Sequence, residues 1–389
     1  MANDPAITGS RPAADPRRLP VLEKDSNDAA QRGLLVDALP PRRELLSLLQ
    51  SLYGPENPKM VPHLRELARY QEKMGFPVEA EKSTSLSLRI NEKTPMESSP
   101  DIARDLFQLA TGAIRRRRFP DAESHLTRGL KLIRILYGDG HPVTARAWTL
   151  WGDYYAETGH FDEAGRSYDK SVDIWGRQPP AEAAEQLDTV SRQARVARLQ
   201  GRLEKAESLL TDVLARREKA VGRNDPRAAS DGLNLARFYN ERQLFRKSLP
   251  LLVRALELRT TLFGADHPET AEVLAASGDA QGLQGDVMQA EDFYQRALRV
   301  YEKCYGPQSP DLAGCLNDLA GLYYDHGHGQ DSEPVMRRSL DIMKKVYDPA
   351  HPEVSTGTHN LAACLEALGR QAEADALRRQ PGQPVRSAA

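Results

Sequence analysis

Cysteine is scarce in this sequence. Three thiols, Cys304, Cys315 and Cys364, form no Cys-x-x-Cys pair, and they are too few for a disulfide framework or a four-cysteine zinc site. They read as reduced core residues. Aromatic residues make up only 6% of the chain, which together with abundant alanine points to helices. No stretch approaches the ~18 consecutive apolar residues of a membrane span. The opening Met1-Ala2-Asn3-Asp4-Pro5 has neither a basic nor an apolar targeting segment, so a cytoplasmic location is expected. The formal net charge is −2, which gives no overall field favouring nucleic acid or an anionic membrane as partner. The sequence patterns of phosphate loops, dinucleotide loops, zinc proteases and serine hydrolases are missing too, so neither catalysis nor a cofactor is expected.

A period is what the chain does have. Counting in steps of 42 residues from Pro268 gives Pro58, Pro100, Pro142, Ala184, Pro226, Pro310 and Pro352, and a glycine shortly before keeps the step at Gly54, Gly138, Gly222, Gly264 and Gly306. A period this strict marks a repeat array. Each unit carries two helical patterns. The first has a small residue at one fixed point, at Ala68, Ala110, Gly152, Ala194, Ala236, Gly278, Ala320 and Ala362, as a close helix crossing requires. A turn glycine follows at Gly75, Gly159, Gly201, Gly285, Gly327 and Gly369, with Arg117 and Gln243 in its place twice. The second pattern opens on acid-alanine pairs such as Asp121-Ala122 and Glu163-Ala164 and runs through Leu130, Val172, Leu214 and Leu256. Junction histidines His141, His267 and His351 precede the proline, so the repeat accounts for them.

Small residue, tyrosine, turn glycine, alanine and leucine in this order resemble the tetratricopeptide repeat. The 42-residue form, with Leu-Tyr-Gly-Asp-Gly-His-Pro at 136–142 and Leu-Asn-Asp-Leu-Ala-Gly-Leu-Tyr at 316–323, is similar to the kinesin light chain type. The resemblance covers about residues 54–376 and implies an all-α right-handed solenoid of helix pairs, a protein-binding scaffold. The long heptad region of kinesin light chains is not seen before the repeats, so motor binding is not expected.

The composition divides the chain into a flexible proline-rich arm at 1–40, a capping helix at 41–57, an array of seven full repeats and a partial eighth at 58–379, and a disordered tail at 380–389. Gly33 and Ala38 already fall on the repeat frame. Pro179-Pro180 alters one junction, Pro250 is expected to kink a second helix mildly, and Glu333-Pro334 to delay another. His326 and His328, with Asp325 and Asp331, flank glycines in a turn and lack the rigid support a metal needs.

In proteins of the resembled type the first helices line a concave groove that holds an extended peptide, with asparagines on its backbone and basic residues on its acidic side chains. Carried onto this chain, the resemblance marks Asn234, Asn317 and Asn360. The frame adds Arg146, Arg195, Arg198, Arg237 and Asn240. Arg195, Arg198 and Arg237 converge and repel unless an anion visits, while Asp153, Glu157, Glu241 and Asp279 stand nearby as internal partners. The expected partner is an acidic peptide segment of another protein. The alternative is a self-regulated module whose arm or tail occupies the groove.

Overall fold

The computed structural model describes residues 15–93, 100–178 and 183–379, and no strand occurs among them. Nine helix pairs follow one another: α1 (Leu19–Gln31) with α2 (Leu35–Tyr53), α3 (Val61–Lys73) with α4 (Pro77–Glu92), α5 (Pro100–Arg115) with α6 (Phe119–Tyr137), α7 (Pro142–Glu157) with α8 (Phe161–Trp175), α9 (Ala183–Leu199) with α10 (Leu203–Val221), α11 (Pro226–Glu241) with α12 (Phe245–Phe263), α13 (Pro268–Leu283) with α14 (Val287–Tyr305), α15 (Pro310–Asp325) with α16 (Gly329–Val346), and α17 (Pro352–Ala367) with α18 (Gln371–Arg378). Each helix packs on its neighbours in the chain. The result is an all-α solenoid.

The junction motif builds each helix start. Proline stands at the first position of α5, α7, α11, α13, α15 and α17, where its missing N–H has no intrahelical partner to lose. The preceding histidine caps the helix: the backbone N–H groups of Val143, Glu269 and Glu353 donate to Nδ1 of His141, His267 and His351, each at 3.2 Å. The ring is held flat against the aromatic four residues earlier, in the pairs Tyr137–His141, Phe263–His267 and Tyr347–His351. Within each pair the turn glycines take φ between 72° and 86°, and Arg117 and Gln243 enter the same left-handed region at 55° and 56°.

At the crossing point the alanines are sealed, with Ala68, Ala110, Ala236, Ala320 and Ala362 all 0% exposed. The two glycines show how close the approach is. A Cβ on Gly152 would lie 2.2 Å from the Tyr168 ring, and one on Gly278 would lie 2.9 Å from Tyr294.

Two expectations need correction. Residues 19–31 and 35–53 are helices of a further repeat, where an arm and a separate cap were expected. Ser26, fully buried, takes the small-residue position, and Gly33 takes the turn. Of the prolines that suggested flexibility, Pro16 and Pro20 stand at helix starts and Pro40 lies inside α2. Second, α16 begins at Gly329, one period after Val287, so Pro334 delays nothing. Pro40, Pro250 and Pro334 all occupy the sixth residue of a second helix and all face solvent. The carbonyls they leave without a helical donor, at Val36, Arg246 and Gln330, belong to exposed residues and are open to water. The Pro179-Pro180 junction, residues 1–14 and the tail at 380–389 lie outside the described residues.

The solenoid also returns on itself. Nε2 of His351 meets the Arg115 carbonyl at 2.9 Å, 236 residues away in sequence. His267 is bonded to the Gln31 backbone over the same interval. Lys73 pairs with Asp311 at 3.5 Å and lies over the Tyr305 ring, while α2 touches α14. One superhelical turn therefore takes between five and six repeats, and successive turns are in contact. Because Nδ1 of each clamp histidine accepts the helix cap, Nε2 carries the proton and donates to the earlier turn. Burial holds both rings below the usual histidine pKa, which keeps this neutral form.

The contact is tightest at Gly75, where a Cβ would stand 1.9 Å from the Gln308 carbonyl oxygen; Gly159, at nearly the same φ, has nothing within 4 Å. Both Gly75→Ala and Gly159→Ala are expected to lose about 1 kcal/mol from the left-handed backbone. Only Gly75→Ala is expected to lose more than that and to enlarge the radius of gyration in X-ray scattering. Equal radii for the two variants would mean that the turns do not touch in solution.

Candidate functional site

First helices of successive repeats line a row of recesses. One of about 590 Å³ lies between α9 and α11 and brings together Arg195, Arg198, Asn234 and Arg237. The next, about 420 Å³, is walled by α11, α13, α15 and α17 and collects Asn240, Asn317 and Asn360, with Arg237 shared between the two. Seven of the eight expected site residues thus fall on one continuous surface. Arg146 lines neither of these two recesses. It bridges to Glu185 at 3.0 Å and lies over the Trp175 ring.

The repulsion expected among the arginines is absent, because each meets a carboxylate from an adjoining repeat. Arg195 reaches Glu157 at 2.8 Å, Arg198 reaches Glu241 at 2.5 Å and Arg237 reaches Glu272 at 2.9 Å. Asn240 continues this ladder by donating to the Ala276 carbonyl at 3.1 Å, and Asn360 donates to Asn317 at 3.4 Å. Asn234 is exposed at its recess, and its side chain makes no hydrogen bond among the described residues. The reason is geometric: neighbouring first helices run side by side, so long polar side chains on one reach carboxylates on the next.

Two repeats carry a coupled unit of glycine, aspartate and tyrosine. Tyr168 passes over Gly152 and donates to Asp153 at 2.8 Å, and Tyr294 passes over Gly278 and donates to Asp279 at 2.6 Å. Where alanine replaces glycine the tyrosine position never holds an aromatic: it is leucine with Ala110, Ala194 and Ala236 (Leu126, Leu210 and Leu252), and Thr84, Met336 and Arg378 with Ala68, Ala320 and Ala362. The small residue and its partner across the pair therefore change together.

Around Asp279 the recess is acidic. Asp318 lines it too, and neither carboxyl forms an ion pair among the described residues. Asp318 opens onto the groove, yet the surrounding helices crowd it. That desolvation, and then the Asp279 charge, push its pKa up to about 7. Burial likewise raises Asp279, against the Tyr294 hydrogen bond and the Arg237 charge. His326, at the edge of the same recess, bonds the Leu322 carbonyl of its own helix at 2.9 Å.

Sequence reasoning missed the buried arginines. Arg217 and Arg259 stand one period apart, each 1% exposed. Arg217 joins Asp231 at 2.6 Å and also Asp188, so it ties its own first helix to the next. Arg259 holds Glu272, Ser230 and the Glu269 carbonyl. Their positions near the ends of second helices, one period apart, were the available signal.

A stack of helix pairs presenting one polar groove defines a class, the helical-repeat scaffold. Models described as tetratricopeptide repeat match residues 101–177, 227–303 and 278–337, and a further one matches 194–227, together more than half of the chain. The chain belongs to the tetratricopeptide repeat family. A clustered mitochondria protein homolog from Debaryomyces hansenii is 23% identical over 203 residues, 52% of this chain but 15% of that protein. Among solved structures, BtubC (BKLC) from P. vanneervenii shares 22% identity, with 60% of this chain and 96% of that chain covered, at a TM-score of 0.47. A STAND ATPase with a tetratricopeptide repeat sensor from Pyrococcus horikoshii shares 14%, covering 94% of this chain and 52% of that one, at 0.49. Among the described residues no helix is long and apolar enough to cross a membrane.

Two outcomes test this account. Gly152→Ala is expected to cost about 1–3 kcal/mol by overpacking against Tyr168, and nearly nothing in a Tyr168→Leu background; equal costs in the two backgrounds, measured by denaturation, would uncouple the pair. The second concerns Asp318. Its folded pKa lies above the unfolded value, so the folded state binds the extra proton and stability falls as pH rises from about 4 to about 7. Asp318→Asn is expected to melt higher than the wild type at pH 7.5, with the gap closing by pH 4. A gap that stays constant with pH would place the carboxyl in an ordinary environment.

Proposed function

We propose that this chain is a non-enzymatic interaction scaffold whose inner groove takes an extended, acidic segment of a partner protein. Proteins of this family generally mediate protein–protein interaction. The observation that carries the finer reading is the gathering of Arg195, Arg198, Arg237 and the unpartnered Asn234 in one open recess. Their present partners do not bar an acidic ligand. The ion pairs at Arg195, Arg198 and Arg237 join side chains that are each between 37% and 50% exposed, and pairs of that kind contribute only about 0–1 kcal/mol. A partner carboxylate replaces Glu157, Glu241 or Glu272 at small cost, and Asn234 is free to bond the segment's backbone.

The test begins with affinity capture on the full chain, comparing wild type with the Arg195/Arg198/Arg237 triple alanine variant. For a partner so captured, Arg237→Ala is expected to weaken binding roughly tenfold or more, as loss of a charged hydrogen bond does. Arg117→Ala, on a turn, leaves binding unchanged. Higher ionic strength weakens the wild-type complex. Binding indifferent to both salt and Arg237 would move the partner off the groove.

A further inference from the structure

The recess downstream of the arginines has the opposite sign. On the repeat frame, Asp153 and Asp279 are equivalent, three periods apart, and each is held by its own tyrosine. Asp153 is answered from the next repeat by Arg192 at 2.5 Å, with Arg195 at 3.9 Å. Three periods on from Arg192 and Arg195 stand Asp318 and Gly321. Where one repeat interface supplies a guanidinium to its aspartate, the other supplies a second carboxyl and an empty position. Arg237, which lines the recess, directs its hydrogen bond to Glu272.

A second observation points the same way. Asn240 lines this recess while being only 3% exposed, and its Oδ1 accepts no hydrogen bond. Its Nδ2 is committed to the Ala276 carbonyl, so reversing the amide would only exchange one unmet group for another. A buried acceptor without a donor is costly. Two carboxyls without an ion pair among the described residues, hydrogen-bonded only to the neutral Tyr294 and Asn317, and one orphaned acceptor line a recess of about 420 Å³, a lining that favours a hydrogen-bond donor bearing positive charge.

We propose that the recess formed by Asn240, Asp279 and Asp318 seats a lysine or arginine side chain of the bound partner segment. It takes the place that Arg192 fills for Asp153 within the protein itself. The inference rests on the reading that the groove holds a partner's segment, and it adds that this segment is acidic at the α9–α11 recess and basic at the next. With Arg237 shared between the recesses, the two charges stand close along the segment, and their order fixes the direction in which it lies.

The test is selection of random peptides displayed on phage against the full wild-type chain, followed by synthesis of the enriched sequences. Enriched peptides are expected to carry an acidic residue and a lysine or arginine at a constant separation. For such a peptide, Asp318→Asn is expected to weaken binding roughly tenfold, at the low end for a charged hydrogen bond. Replacing the peptide's basic residue by glutamine is expected to weaken it equally, and the two changes together no further than either alone. Asp279→Asn serves as a second variant, since asparagine still accepts from Tyr294. Enriched peptides that lack basic residues, or that bind Asp318→Asn as tightly as wild type while still depending on Arg237, would overturn this inference and leave the groove reading standing. Failure to enrich any peptide that depends on a groove residue would overturn both.

Discussion

The close crossing inside each helix pair is the constraint on which the rest depends. A small residue, alanine, glycine or once serine, lets the two helices cross closely in copy after copy, so each pair adds a similar small rotation to the stack. Repeated rotations of one sense close a turn, and the shared interval of 236 residues between clamped positions measures it. Repeat arrays are commonly described by nearest-neighbour terms alone. Here the bonds of His267 and His351 to the preceding turn, and the Lys73–Asp311 pair, add contacts between distant repeats. Loosening one crossing therefore displaces the register of contacts five or six repeats away.

How much of this was legible in the sequence follows from distance along the chain. The junction prolines, turn glycines and small positions act within one repeat, and a constant spacing exposes them directly. The groove was legible to the extent that the frame placed Arg195, Arg198, Asn234 and Arg237 on equivalent faces. Their ion pairs were less so, since pairing depends on which rotamers reach the next helix. The added N-terminal pair was hidden by composition: prolines and charges between residues 12 and 40 outweighed Gly33 and Ala38, although both lay on the frame. Gly152 with Tyr168 and Gly278 with Tyr294 were readable by comparing two frame positions at once. The return of the coil upon itself was not, because small errors in a per-repeat rotation accumulate over more than five repeats.

The arginines divide into two sets by the helix that carries them. Arg217 and Arg259 lie near the ends of second helices, point into the seam between repeats and are 1% exposed. Such groups are held by several acceptors at once, and removing one partner leaves a buried charge uncompensated, a loss of several kcal/mol. Arg195, Arg198 and Arg237 sit on first helices at 37–40% exposure, where water shares their charge. The first set fixes the array; the second contributes little to it.

On the proposed reading, exchange of these pairs would tie recognition to the shape of the coil. Each groove ion pair joins two first helices, Arg195 to Glu157 from α9 to α7, and Arg237 to Glu272 from α11 to α13. A ligand that takes the arginine releases the carboxylate and with it one tie between repeats, while its own backbone spans the same gap. Glu272 is then left with the buried Arg259, which already donates to it at 2.8 Å, so this carboxylate stays neutralised whichever partner Arg237 takes. Glu157 has no such second arginine among its ion pairs in the described residues. Freeing it therefore costs more than freeing Glu272, so on the proposed reading Arg237 would exchange partners more readily than Arg195.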